Sequence, residues 1–380
     1  MASAVSPPFP TSTSPASTRT SGRRRAWRHR GADLLIALPL AALAVWAQHR
    51  GFSDPGLRLL EQRASLARTG GADLSGLRYG YPPLPTLVAV VSGGSTLSLS
   101  IATCVCTGIM LGYVARRLLQ RVSAVTTVAL LLPICAVPVM WYAGSQLFAP
   151  VASLAFLAVA LDGFVRFTAH GETEGGFVAG LALAMCLCCD PGALVYGLVM
   201  CAFAPLIRHS RYRGEHSVMA IDTVLLFPIA AVAVGWLFLE WKFAGTFPGS
   251  LDYEAGARLL AFPSGVADTM AAAIRSAGTS LIHVPLYAAA AVIFYLLRPA
   301  AMAGLLLPVC AVIVVLWLGF VYGPPVAYLL FTILALITIS ETASRRFEPA
   351  LAAVALGQLA LVLAWPPASP YFSEWFRLVI

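Results

Sequence analysis

The chain has 380 residues, of which 59% are hydrophobic and 11% charged, against about 45–50% and about 25% in an ordinary soluble domain. A mean hydropathy of +0.81, sustained by apolar runs over nearly the whole length, excludes a soluble fold around one core, because such a chain would still expose a large surface that needs polar cover. The formal charge of +8, from 25 Lys and Arg against 17 Asp and Glu, is modest, so the position of each charge carries more than the sum. Residues 1–30 open with small, hydroxylated and proline residues and close with a cluster of arginines, six in all. This reads as a disordered basic cytosolic tail abutting a retained first span; juxtamembrane arginines meet anionic lipid, and neither a nucleic-acid arm nor a cleaved signal fits as well.

A span needs about 20 apolar residues. On that rule eleven runs are candidates: 31–48, 88–115, 123–144, 148–166, 174–190, 192–207, 219–241, 281–297, 300–320, 323–340 and 349–366. The expected fold is all-α, a polytopic transmembrane bundle over 31–366, followed by an amphipathic tail at 367–380 lying on the outer face. With the N-terminus inside, 16 Lys and Arg fall on the cytosolic side and nine outside, the asymmetry expected of a plasma-membrane protein in that orientation. Asp162, Asp222, Glu240 and Glu341 lie near span ends and are expected to snorkel to the interface. The eight cysteines all fall in apolar runs, where a thiol is an ordinary filler, and none is assigned to a metal. No phosphate-loop, dinucleotide, zinc-protease or nucleophile-elbow motif is present.

Two predicted outer loops, 49–87 and 242–280, are long and rich in acids, arginines and aromatics, as a binding surface would be. In the first, Leu57, Leu60, Ala64 and Ala67 recur on one side of a predicted helix along the membrane face, which Gly70 and Gly71 stop. Tyr79–Gly80–Tyr81–Pro82–Pro83–Leu84–Pro85 is expected to be extended, holding the lip of the second span.

An acid just outside the first span, the helix LRLLEQRASLARTGG and YPPLP before a second span resemble the first outer loop of membrane glycosyltransferases of the GT-C type. The likeness extends through GGFVAGLALAMCLCCDPGALVYGLVMCAFAPLIRHSRYRG, although Cys189 and Asp190 stand where family members commonly carry Thr with Lys or Arg. The resemblance implies transfer of a sugar from a polyprenyl-phosphate-linked donor to an envelope glycan, lipid or protein acceptor on the outer face. From composition and the placement of the basic cluster, the lipid bilayer is the expected partner and no nucleic acid is expected. Asp54 occupies the position of the family's acid and is by that likeness the general base; read locally, Ser53–Asp54–Pro55–Gly56 is also a turn or helix cap.

Glu61, two predicted turns on, either joins Asp54 in orienting the acceptor or assisting a metal, or pairs with Arg58 or Arg68. Arg58, Arg63 and Arg78 are candidates for the donor phosphate, with headgroup contact as the alternative. Asp73, Tyr79 and Tyr81 complete the substrate candidates of this loop. In the second loop Asp252 and Glu254 form an acidic pair, Tyr253 would stack on a sugar, and Arg258 is in reach; a surface helix is the competing reading. Acid–x–acid also resembles a metal-binding pair, so a divalent cation is admitted as a cofactor without being required. The functional alternatives are a transporter or flippase, and a noncatalytic subunit of an envelope glycan assembly.

Overall fold

The computed structural model describes residues 19–69, 82–207, 215–244, 281–297, 324–367 and 369–380, with isolated positions between 268 and 279. Among these residues the regular structure is helical: α1 (Arg19–His49), α2 (Pro55–Thr69), α3 (Pro83–Val91), α4 (Thr96–Leu119), α5 (Ala124–Cys135), α6 (Pro138–Gln146), α7 (Phe148–Val165), α8 (Thr173–Leu187), α9 (Ala193–Ile207), α10 (Glu215–Leu239), α11 (Pro285–Leu297), α12 (Pro324–Thr342), α13 (Glu348–Ala364) and α14 (Pro370–Val379). Helix α1 starts at Arg19, so residues 19–30 of the basic stretch continue into the first apolar run without a break.

The all-α expectation holds and the count of eleven spans does not. Among the described residues five helices are long and apolar enough to cross a membrane, or six if one bent pair is a single span. Four further apolar helices, at 35–49, 173–187, 193–204 and 285–296, are shorter, and the run 300–320 lies outside the described residues. Hydropathy over a window counts apolar residues, whereas a span needs them on one unbroken helix. Run 88–115 is divided by Ser92–Gly93–Gly94–Ser95, where both glycines take positive φ, 93° and 76°. Run 123–144 divides into α5 and α6 with a bend of 71°. Pro138 opens α6 at a position where a missing N–H costs nothing, and the carbonyls freed at the break find donors. Trp141 Nε1 donates to Cys135 O at 2.9 Å, and Tyr328 Oη donates to Pro133 O. Broken helices are tolerated at membrane depth when neighbours satisfy the backbone in this way.

The YPPLP reading is corrected as well. Its last three residues form the first turn of α3, with Pro82 extended as the cap residue; prolines in a first turn forgo only N–H groups that the helix leaves unpaired.

Helix α12 is the hub of the bundle, with Tyr328–Ile339 buried throughout. Buried Gln358 of α13 joins three helices: it accepts from Leu286 N of α11 at 3.0 Å and donates to Tyr328 Oη at 3.3 Å and Thr332 Oγ1 at 3.2 Å. Helices α1 and α4 lie against each other through small residues. A Cβ on Gly108 would sit 2.5 Å from Asp33 O, and one on Gly112 would meet the Asp33 side chain, the small-xxx-small device that lets membrane helices close. At one end of this pair Arg116 binds Asp33; at the other Gln48 Nε2 donates to Thr96 Oγ1 at 3.2 Å.

Of the four acids expected to snorkel, three have buried carboxylates and Asp222 is half-buried. Asp162 and Glu240 are 1% and 0% exposed, and the Glu341 side chain is 4% exposed. Arg117 Nε donates to Asp162 Oδ1 at 2.6 Å and its Nη2 to Glu341 Oε1 at 2.7 Å. Tyr113 Oη donates to Asp162 Oδ2 at 2.7 Å, and Arg166 Nε lies 3.2 Å from the same oxygen. Trp236 Nε1 donates to Glu240 at 3.1 Å. Ionisable groups in membrane helices turn to the bundle interior and pair, since a charge facing lipid is costly. The Asp162 network ties together α4, α7, α12 and the wide turn Arg166–His170, opposite the end that carries Asp54.

Candidate active site

The chain leaves α1 through Gly51, whose φ of +79° lets the helix end in a left-handed residue. Gly51 N donates to Gln48 O at 2.9 Å and Phe52 N to Ala47 O at 3.0 Å, and the closed turn sets the start of α2. Asp54 caps that start. Its Oδ1 accepts from Gly56 N at 2.7 Å, and its carbonyl accepts from Arg58 N at 3.2 Å. The local reading of Ser53–Asp54–Pro55–Gly56 as a cap is therefore correct, and it fixes the carboxylate's direction.

The apolar side of α2 does not face lipid. Leu57, Leu60 and Ala64 are buried with Ala89, Leu99 and Phe148, so the helix is seated on α3 and α4. Arg68 Nη1 donates to Gly93 O at 3.1 Å and its Nη2 to Val90 O, closing the C-terminus of α3. It is a backbone clamp, not a partner of Glu61 among the contacts described.

What the sequence did not foresee is the partner of Asp54. The bend between α5 and α6 carries Tyr142 to the start of α2, where its hydroxyl donates to Asp54 Oδ2 at 2.6 Å. Phe52 meets the Tyr142 ring edge-on at 6.4 Å. Helix α14 covers the pair from the C-terminus: Phe372 and Trp375 lie 5.8 Å and 5.6 Å from the Tyr142 ring, and both are buried. Ser369 caps α14 by accepting from Phe372 N at 3.2 Å, and Trp46 Nε1 of α1 donates to Val379 O at 3.1 Å. The amphipathic tail thus puts Phe372 and Trp375 on the protein against Tyr142.

Asp54 is 4% exposed. Burial raises its carboxyl above the ordinary value of 3.8, against the opposing pull of the Tyr142 hydroxyl, the Gly56 N–H and the Arg58 charge. A carboxylate so placed is a stronger base than one in water, is held in one orientation, and keeps a guanidinium nearby. Arg58 itself is exposed, while Glu61 and Arg63 on the same helix are half-buried. Asp54 and Glu61 share no contact among those described. Asp73, Arg78, Tyr79, Tyr81, Asp252, Tyr253, Glu254 and Arg258 lie outside the described residues. Among the described residues no group of three or more His, Cys, Asp and Glu side chains is placed to hold a metal.

Asp190 lies buried in the turn between α8 and α9. Its Oδ1 accepts from Gly192 N at 2.7 Å, and burial pushes its carboxyl up to about 7. Leu84 N donates to Cys188 O at 3.0 Å, fastening this turn to the start of α3. Comparison with family models, with curated proteins and with solved structures gives no match for this chain.

Proposed function

We propose that this polytopic membrane protein is a glycosyltransferase that moves a sugar from a polyprenyl-phosphate-linked donor to a hydroxyl acceptor, with Asp54 as general base. The observation that carries the reading is the state of Asp54: a buried carboxylate, oriented by Gly56 N and Tyr142 Oη, at the end of a surface helix that bears arginines. In the reaction the acceptor oxygen bonds to the sugar C1 as the C1–O bond to phosphate breaks. Asp54 takes the acceptor's proton, and the polyprenyl phosphate leaves with the bonding pair. Arg58, on the exposed side of the first turn of α2, is suited to that phosphate, since a guanidinium holds two phosphate oxygens at once. The resemblance of residues 31–213 to GT-C enzymes supports the same assignment and an outer-face site.

Transport is the weaker reading. The described buried acids gather toward the two ends of the bundle and are tied to local partners, rather than forming a relay across it. The test is turnover of a panel of polyprenyl-phosphate monosaccharides by purified wild type and Asp54→Asn. Loss of product by a folded Asp54→Asn protein supports the base; equal product formation rejects it.

A further inference from the structure

A general base must touch the hydroxyl it deprotonates, yet Asp54 and the Tyr142 that binds it are only 4% and 2% exposed. One of the elements packed around the pair therefore has to move before an acceptor arrives. They are not held equally. Helix α2 is seated by Leu57, Leu60 and Ala64 on Ala89, Leu99 and Phe148 and fastened by Arg68 to Gly93 O and Val90 O. Phe52 is tied back to Ala47 O at 3.0 Å. Helix α14 has only 10 residues, too few to be stable without packing, and of its side chains Phe372, Trp375 and Val379 are buried. Beyond those contacts it is tied to α1 by Trp46 Nε1, which donates to Val379 O at 3.1 Å.

We propose that α14 is a lid on the Asp54–Tyr142 pair, closed in this structure and latched by Trp46, and that it lifts to admit the acceptor hydroxyl. The assignment rests on Asp54 as the base and specifies what controls access to it. Two features suit α14 to the task. Its closed position carries a cost, since Trp375 Nε1 is buried against Tyr142 with no hydrogen-bond partner among the described residues, and a buried donor left unpaired is unfavourable; lifting returns that N–H to water. Its other side is apolar too. Tyr371, Phe376 and Ile380 are exposed, so the helix keeps a face for the membrane surface when its inner face leaves the protein. Elements that open locally are drawn from the weakly held parts of a fold, and a lid that closes again over the reacting groups excludes water from them.

The experiment places full-length wild type, Trp46→Phe, Ser369→Ala and Ser123→Ala in nanodiscs. Amide hydrogen exchange reads the opening of α14, and a hydrophobic carbodiimide, located by peptide mass mapping, reads access to the Asp54 carboxyl. In wild type the amides of α14 are expected to exchange ahead of those of α2 and α4. Trp46→Phe keeps a ring and removes the latch, and Ser369→Ala removes the cap of α14; each is expected to raise both α14 exchange and Asp54 labelling about fivefold. Ser123→Ala removes the cap of α5, near the Asp162 end, and is expected to leave Asp54 labelling unchanged. Faster α14 exchange with unchanged Asp54 labelling in both variants overturns the lid, as does exchange of wild-type α14 only together with the rest of the bundle. Equal labelling gains in Ser123→Ala also overturn it, because general loosening would then explain them. If Trp46→Phe fails to fold, Ser369→Ala decides. Turnover by Asp54→Asn is read separately: full activity rejects the base and with it the gating role, even where labelling shows that α14 opens.

Discussion

Tyr142→Phe isolates the contact on which the site depends. The substitution leaves the ring between Phe52, Phe372 and Trp375 and removes the hydroxyl 2.6 Å from Asp54 Oδ2. With Asp54 only 4% exposed, water has little access to replace it. A hydrogen bond to a charged acceptor is worth about 1.5–3 kcal/mol, which is a factor of roughly 10 to 150. That support goes to the ionised carboxylate, so its loss drives the Asp54 carboxyl further up from a value already raised by burial. Glycosyl transfer at neutral pH is expected to fall by up to that factor and to recover as pH is raised, because the base is ionised again. The assay is initial rate against pH for wild type and variant. Equal loss at every pH, or no loss, refutes the reasoning that Tyr142 tunes the base. Stability gives an independent check. A buried carboxyl with a raised value favours folding fully below the unfolded value of 3.8 and loses that contribution as pH rises through its folded value. Asp54→Asn lacks the titration, so its Tm relative to wild type must rise as pH climbs from 3.8.

Arg117→Met leaves Asp162 and Glu341 buried without their shared guanidinium and should cost about 3–5 kcal/mol of unfolding free energy; a loss under about 1 kcal/mol in detergent titration would mean that Tyr113 and Arg166 carry the network. Gly108→Ala places a Cβ 2.5 Å from Asp33 O and should destabilise by about 1–3 kcal/mol as α1 is pushed from α4. Gly235→Ala, whose Cβ meets nothing within 4 Å, should stabilise α10 by about 0.5–1 kcal/mol, and the same melting curves compare the two. Gln358→Leu orphans Leu286 N and removes the bonds to Tyr328 and Thr332; a loss of about 2–4 kcal/mol is expected, and a neutral result would show that α11, α12 and α13 hold together by packing alone.

The helical class and the surface helix at 55–69 were legible because composition and a 3.6-residue period are local properties. The number of spans was not, because continuity fails at single residues that a window averages away. Ser92–Gly93–Gly94–Ser95 contributes almost nothing against a long apolar run, yet two positive φ values end one helix and start another. Pro133 and Pro138 are as small a signal in 123–144. They redirect α6 by 71°, and that redirection brings Tyr142 to Asp54. Asp54 was readable as a candidate, and as a helix cap, from its place after the first span. Its hydroxyl partner, 88 residues away, was not, since no periodicity links a bend in one helix to a cap on another.

The scarce charges explain why the two ends of the molecule differ. Arginines that set the expected orientation at one end are engaged in pairs, Arg116 with Asp33, Arg117 with Asp162 and Glu341, and Arg166 with Asp162. Sequence reading counted those arginines toward topology and the acids toward the interface, treating them separately, although each gives the other its reason to be buried. Such a network gives each buried acid an arginine and is suited to holding helices. Asp54 is the contrasting case. Among the described residues it forms no ion pair, and its oxygens are held by a backbone N–H and a phenol. Arg58 lies nearby on the solvent side, and its charge only partly offsets the desolvation of the carboxyl. Beyond capping α2, the arrangement raises the proton affinity of the carboxyl, which is the physical reason for proposing the chemistry at Asp54 rather than at the more elaborate cluster around Asp162.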